Sequence, residues 1–216
     1  MTGTGVVVDA QFCFDHETNL TVHKTSVFFP GDGFVVYNPD RQLILRSDSY
    51  SPHRPSDELV LMDASGKCLL TLLRKKPSLH QRWEGFMGER QEDQDPVFSM
   101  FKSSIIGRSQ LVVEVGGDGG EQYCIEGSYS HRCCTIYNNI MTSSRECVAE
   151  IKRKVDPTTH VLLGKDVFLL CLQRGLDAAF AMGLVLVLDQ IYGDDDDDND
   201  GVELEEVAPN VENSSS

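Results

Sequence analysis

Residues 178–188 form an eleven-residue run with no charged or polar side chain, standing between Asp177 and five consecutive aspartates that begin at Asp194. A helix that crosses a bilayer needs about 20 apolar residues, whereas runs of about 10–14 are more often buried core helices. The run also lacks the basic flank that usually orients a span. Yet it is apolar on every side, which a helix lying on a protein surface is not. Such a segment must be surrounded by protein. Ala, Leu and Met dominate it and only Val185 and Val187 are β-branched, which favours a helix. Asp177 stands where an N-cap belongs and Gly193 where a stop belongs. The expectation is a buried helix carrying Ala178, Phe180, Met182, Leu184, Val185, Leu186 and Leu188 into a core. The stretch GLVLVL, taken alone, also suits a buried strand.

What surrounds that helix is legible upstream. Short apolar or alternating runs recur at residues 20–22, 26–29, 34–37, 43–47, 58–62, 68–73, 82–86, 97–101, 111–115, 123–127, 133–137, 147–155 and 166–172. Turn-formers separate most of them, among them Gly31-Asp32-Gly33, Asn38-Pro39-Asp40, Asp63-Ala64-Ser65-Gly66 and Gly116 to Gly120. About a dozen short strands at this spacing indicate an antiparallel sandwich or barrel. Three hairpins look related, GFVVYNPDRQLILRS, ELVLMDASGKCLLTLLRKK and CCTIYNNIMTSSRECVAEIKRK. The last two end alike, so that Cys68 to Lys75 lies over Cys147 to Lys154. Repetition of this kind fits a sheet of similar meanders that closes on itself. A barrel of about twelve strands is too wide for its own side chains to fill, since about eight already leave just enough room for them. A helix apolar on all faces fills that space.

The segments LTVHKTSVFFPGDGFVVY, VLMDASGKCLLTLLRKKPSLHQRWEGF, IEGSYSHRCCTIY, AEIKRK, LLGKDVF and GLDAAFAMGLVLVLDQI, in this order, carry a resemblance to the plant LURP-one-related family. The family's domain is similar to the tubby C-terminal domain and to phospholipid scramblases. The resemblance covers roughly residues 18–193. It implies a mainly β fold, a closed antiparallel barrel of about twelve strands around a buried C-terminal hydrophobic helix. Three parts follow: a lead segment at 1–17, the barrel domain at 18–193, and an acidic tail at 194–216 that reads as disordered and departs from the family pattern.

Charge is unevenly distributed. The formal net charge is −15, from 34 acids and 19 bases. Ten of the acids fall in residues 194–216, which hold no base, leaving 24 acids against 19 bases in the remaining 193 residues. Nothing here has the global basic character of a nucleic-acid binder. The seven cysteines, Cys13, Cys68, Cys124, Cys133, Cys134, Cys147 and Cys171, form no CxxC pair. Most alternate with apolar residues and are expected in the core. The N-terminus lacks a basic n-region and an apolar h-region. An odd cysteine count without a secretory signal reads as reduced thiols in an intracellular chain. The expected locations are the cytoplasm, the periphery of the plasma membrane or the nucleus.

No GxSxG, Walker A or GxGxxG motif is present; Gly164-Lys165 and Gly66-Lys67 lack the upstream glycine of a P-loop. His16, His23, His53, His80, His131 and His160 show no paired ligand spacing, which argues against a metal site. In the stretch SLHQRW, Trp83 is the single tryptophan and is expected to pack in the wall. Asp196, Asp198, Asp200 and Gly201 match the start of a calcium loop, but position twelve is Val207 where a bidentate Glu is needed. No catalytic residue, cofactor or metal is therefore expected.

Two basic clusters remain, Arg74-Lys75-Lys76 and Lys152-Arg153-Lys154. The hairpin repeat sets them at equivalent strand ends. Alternation along a strand points two of each three outward. Strand-edge lysines that discourage edge pairing are one reading. The other comes from the resemblance, because tubby-like domains bind acidic headgroups through Lys and Arg: the six residues are then candidates to contact anionic phospholipid or phosphoinositide, although the tubby headgroup residues themselves do not map onto positions of this chain. The expected function is a non-enzymatic module of the scramblase and tubby-like superfamily, which includes membrane-tethered transcription factors, with a role in plant pathogen defence. Scramblase-like lipid transport and a protein-interaction scaffold are the alternatives.

Overall fold

The computed structural model describes residues 6–25, 33–47, 57–76, 81–105, 108–117, 120–139 and 145–193. Twelve strands are formed: β1 (Thr18–Thr25), β2 (Gly33–Tyr37), β3 (Leu43–Ser47), β4 (Glu58–Asp63), β5 (Cys68–Arg74), β6 (Trp83–Met87), β7 (Phe98–Ile105), β8 (Arg108–Val115), β9 (Gln122–Ser128), β10 (Cys133–Asn139), β11 (Arg145–Arg153) and β12 (Val167–Leu172). One helix follows, α1 (Ala178–Tyr192). Every strand pairs antiparallel with its neighbours in sequence, and β12 returns to β1 to close the barrel. The apolar run at 26–29, His53, His80 and the tail from residue 194, with its partial calcium-loop match, lie outside the described residues.

Strand patterning follows the requirement that one face of the wall meet the interior. In β1, Thr18, Leu20 and Val22 are buried while Asn19 is exposed. In β12, Phe168, Leu170 and Leu172 alternate inward. Strand β5 departs from alternation, with Leu69, Leu70, Thr71 and Leu72 all buried. The break coincides with a register shift against β4, where Leu61 faces Leu70 and Met62 faces Cys68 so that Leu69 is left over, and Thr71 Oγ1 donates to the carbonyl of Gly88, just beyond β6, at 2.7 Å. Trp83 opens β6 and is buried in the wall, as expected.

The interior is occupied by α1. Every residue from Ala178 to Leu188 is buried. At a rise of about 1.5 Å per residue the helix is roughly 22 Å long, enough to pass through the barrel. Phe98 and Tyr123 reach in from the wall and meet Phe180 with ring centroids at 5.3 and 5.4 Å. Gly85 makes room for this, because a Cβ there would stand 2.3 Å from the Phe98 ring.

The two helix ends are held differently. Asp177, wholly buried, is the N-cap. Its Oδ1 accepts from Ala179 N at 2.9 Å and Phe180 N at 3.2 Å. Its Oδ2 accepts from Val8 N at 2.7 Å and Asp9 N at 2.9 Å. Residues 6–17 thus pass over the helix N-terminus and bring Val8 and Phe12 into the core. At the other end Gly193 follows the last turn with φ of −69°, so the helix stops without a left-handed cap residue.

The cysteine expectation needs correction. Only Cys124 and Cys134 are buried; Cys13, Cys68, Cys147 and Cys171 are half-buried and Cys133 is exposed. Most of these thiols sit on outward positions of a one-layer wall, where apolar neighbours in sequence alternate to the inside.

Candidate functional site

Because consecutive strands run in opposite directions, the odd-numbered strands all finish at one end of the barrel. Helix α1 leaves through that same end. Lys24 at the end of β1, Arg74 at the end of β5, Lys102 in β7, Arg132 in the turn after β9 and the segment 152–154 at the end of β11 all come from elements that finish there.

The centre of this rim is a buried charge cluster. Asp189 lies in the last turn of α1, where a negative charge opposes the helix dipole. Lys24 Nζ stands 3.0 Å from its Oδ2, with side chains 14% and 4% exposed. Arg132 Nη2 is 4.0 Å from Asp189 Oδ1 and Tyr129 OH donates to the same oxygen at 3.3 Å. Burial and then the Asp189 charge hold the Tyr129 phenol well above its ordinary value, so it stays a neutral donor. The Arg132 guanidinium lies over the rings of Tyr129 and Phe168, at 4.1 and 4.7 Å, and its Nε donates to Lys165 O at 2.9 Å. Lys102 Nζ sits 4.7 Å from the centroid of Tyr192, the last helical residue.

Around this centre stand the two clusters read from sequence. In the barrel order β5 and β11 are six strands apart in either direction, so the clusters occupy opposite walls of one rim. Arg74, Lys75 and Lys76 are all exposed, which differs from the expected two of three, because β5 ends at Arg74 and the lysines lie beyond the pleat. Arg74 Nη1 is 3.8 Å from Asp57 Oδ1, Lys76 Nζ pairs with the same carboxylate, and Lys75 Nζ meets Glu84 at 2.8 Å. Across the rim Lys152 is exposed and meets Glu150 at 2.7 Å, which lifts its ammonium above the ordinary lysine value. Arg153 and Lys154 are half-buried instead. Arg153 Nη2 donates to Leu163 O at 2.7 Å and Lys154 Nζ to Thr21 Oγ1 at 2.7 Å. Burial, with the Arg41 charge adding to it, holds Lys154 below the ordinary lysine value. The basic ends of these pairs are exposed while the carboxylates of Asp57, Glu84 and Glu150 are 22%, 16% and 33% exposed, and surface pairs contribute about 0–1 kcal/mol each. Lys75, Lys76 and Lys152, with side chains more than half exposed, are therefore accessible to an external anion.

Sequence reasoning missed Lys24, Lys102 and Arg132, because each is a single base far from the others in the chain. One signal pointed to them: an acid, Asp189, directly after an eleven-residue apolar run needs cations to meet it. Beside the helix exit, Asp57, Arg74, Gln81, Trp83, Gln190 and Ile191 line a small cavity of about 90 Å³. A wider depression of about 390 Å³ on the outer wall is lined by Glu58, Glu89 and Glu92 with Arg90, the wrong sign for an anion. Among the described residues, no group of three or more His, Cys, Asp or Glu could hold a metal ion, and no helix is long and apolar enough to cross a membrane.

Comparison with known proteins accords with this architecture. The family model described as LURP-one-related matches residues 18–189. The Arabidopsis thaliana protein LURP-one-related 12 is 56% identical over 195 residues, covering 89% of this chain and 86% of its own length. LURP-one-related 5 from the same plant is 57% identical over 194 residues, covering 88% and 91%. An X-ray structure of another Arabidopsis thaliana protein superposes with a TM-score of 0.64 at 22% identity, covering 87% of this chain and 98% of its own, a likeness of fold alone. The chain belongs to the LURP-one-related family.

Proposed function

We propose that the chain is a non-enzymatic module that docks on anionic phospholipid headgroups through the rim where α1 exits. The observation that carries this reading is the convergence of bases on one end of a barrel whose interior is taken up by its own helix. With residues 178–188 buried, the walls enclose a helix rather than a substrate, and binding falls to the rim. Lys75 and Lys76 on one wall and Lys152 on the other present ammonium groups that a bilayer surface reaches simultaneously. A phosphoinositide is the headgroup with the highest charge for such contacts. The relation to scramblases and membrane-tethered tubby-like proteins, and a role in plant pathogen defence, rest on the resemblance and belong to the same proposal. Scramblase-like transport is less well supported, because it needs a spanning segment and the longest apolar run serves as the barrel's core.

The test is co-sedimentation with vesicles of phosphatidylcholine alone, with about a third phosphatidylserine, and with a few per cent phosphoinositide. Binding is expected only to the two anionic compositions and is expected to fall at least tenfold in Lys75→Glu/Lys76→Glu/Lys152→Glu. Equal binding to neutral vesicles, or no effect of the triple reversal, contradicts the reading. A protein-interaction scaffold is the second reading, favoured by one observation: each of these three lysines already faces an acid, as at an ordinary protein surface. Absence of vesicle binding at low salt supports it instead.

A further inference from the structure

Among the described residues, five large hydrophobic side chains stand exposed. Val6 and Met87 are isolated, which is normal for a protein surface. The other three, Val155, Val161 and Leu162, are 44%, 60% and 54% exposed and belong to one segment, the connection from β11 to β12. Exposed aliphatics gathered in one connection, rather than scattered singly, mark a candidate contact surface.

The segment is built rather than slack. Val155 and Leu162 form an antiparallel bridge. Asp156 N donates to Val161 O at 2.9 Å, His160 N to Asp156 O at 2.9 Å, and Leu163 N to Lys154 O at 2.8 Å. Asp156 Oδ1 accepts from Thr158 N and Thr159 N, both at 2.8 Å. His160 completes the turn in the left-handed region, with φ of 56°. The roots are tied to the rim by Arg153 on Leu163 O, Arg132 on Lys165 O and Lys24 N on Asp166 O. Aliphatic exposure is thus fixed by the hairpin's own hydrogen bonds, and docking orders little further chain.

Charge indicates which partner. Residues 150–166 hold four bases, Lys152, Arg153, Lys154 and Lys165, and three acids, Glu150, which pairs with Lys152, Asp156 and Asp166. The local balance is positive in a body where acids outnumber bases by 24 to 19. One acid, Asp156, is turned onto the loop's own amides. Exposed aliphatics flanking the polar Pro157–His160 turn, with bases at the hairpin's roots, match the interface of an anionic bilayer, where aliphatic side chains enter the acyl boundary while the polar turn and the lysines stay among the headgroups. We propose that the β11–β12 hairpin is a membrane wedge that inserts Val155, Val161 and Leu162 into an anionic bilayer while Lys152 and Lys165 contact its headgroups. The proposal deepens the lipid-docking reading above and rests on it.

The test uses the full chain and vesicles of phosphatidylcholine with about a third phosphatidylserine. Val161→Trp supplies a reporter, and the single native Trp83 is buried in the wall, so it contributes a constant background. On adding vesicles, the Val161→Trp signal is expected to shift to the blue and to be quenched by lipids brominated on the acyl chain. In parallel, Val161→Ser/Leu162→Ser is expected to lose at least tenfold in vesicle partitioning with no loss of thermal stability, because both side chains are exposed. Wild-type binding equalled by the double serine variant, without acyl-chain quenching, overturns the wedge and leaves headgroup docking standing. Failure of the wild type to bind any anionic vesicle overturns both. Concentration-dependent self-association that the serine variant abolishes, without vesicle binding, identifies a second copy as the occupant and overturns the wedge.

Discussion

Asp177 carries more than a helix cap. Removing an ordinary N-cap side chain costs about 1 kcal/mol. Here one buried carboxylate accepts from four backbone N–H groups, two in α1 and two in the N-terminal segment. Each buried donor left unsatisfied costs about 1–3 kcal/mol. Asp177→Ala is therefore expected to lower stability by at least about 3 kcal/mol in urea denaturation. Asp177→Asn, which keeps one acceptor, is expected to fall between the two. A loss in the alanine variant no larger than an ordinary cap contradicts the four-donor arrangement. The sequence shows the aspartate and its N-cap position. It does not show the contacts to Val8 and Asp9, which lie 169 and 168 residues away.

The thiols make a second test at this scale. Cys134 is buried and desolvation pushes its pKa up to about 12, whereas its neighbour Cys133 is exposed. Only the thiolate reacts. Alkylation of the folded chain at about pH 8 is expected to modify Cys133 first and to leave Cys134 and Cys124 unmodified until the chain unfolds. Peptide mass spectrometry reads the order, and early labelling of Cys134 contradicts its burial.

Among the elements, α1 decides the fold. A wide barrel without a filler leaves a void lined by apolar side chains, and an unpaired charge in that filler costs several kcal/mol. Leu184→Asp is accordingly expected to abolish cooperative unfolding and native circular dichroism. A folded Leu184→Asp chain, recovered only in detergent, contradicts the plug. The helix and the strands were readable because burial on all sides and alternation are local patterns. Closure between β12 and β1 is not a local pattern; the repeated hairpins and the need to house the apolar helix suggest a closed sheet, and the family resemblance implies it. The rim was only half legible: consecutive bases at 74–76 and 152–154 stand out in sequence, while Lys24, Lys102 and Arg132 meet only after the barrel closes. The exposed hairpin is not legible in sequence, because Val155 and the pair Val161-Leu162 resemble ordinary strand residues and only the fold shows them exposed.

On the scale of the whole molecule, an acidic segment is joined in sequence to the end of the barrel that gathers the bases. The ten acids of residues 194–216 begin one residue after Gly193, where α1 leaves among the bases. A tether of this length gives an effective concentration of order millimolar. Competition between tail and bilayer for the basic rim predicts that deleting residues 194–216 tightens binding to phosphatidylserine vesicles at low salt. The gain is expected to vanish as the Debye length falls toward about 8 Å at physiological ionic strength. It is also expected to vanish when Lys75, Lys76, Lys152 and Lys154 are neutralised, which separates competition from general repulsion. Unchanged binding at every salt concentration removes the tail from the regulation of this surface.

Whether the helix stays inside while the rim meets the membrane is the central question, and hydrogen–deuterium exchange of the full chain with and without anionic vesicles addresses it directly. Core segments exchange only through near-global opening. The amides of residues 178–188 are expected to be the slowest in the chain under both conditions. New protection is expected in residues 152–166 and 74–76, and none in the turns at the opposite end of the barrel. Loss of protection along α1 on adding vesicles, or no change in protection at the rim, contradicts the account.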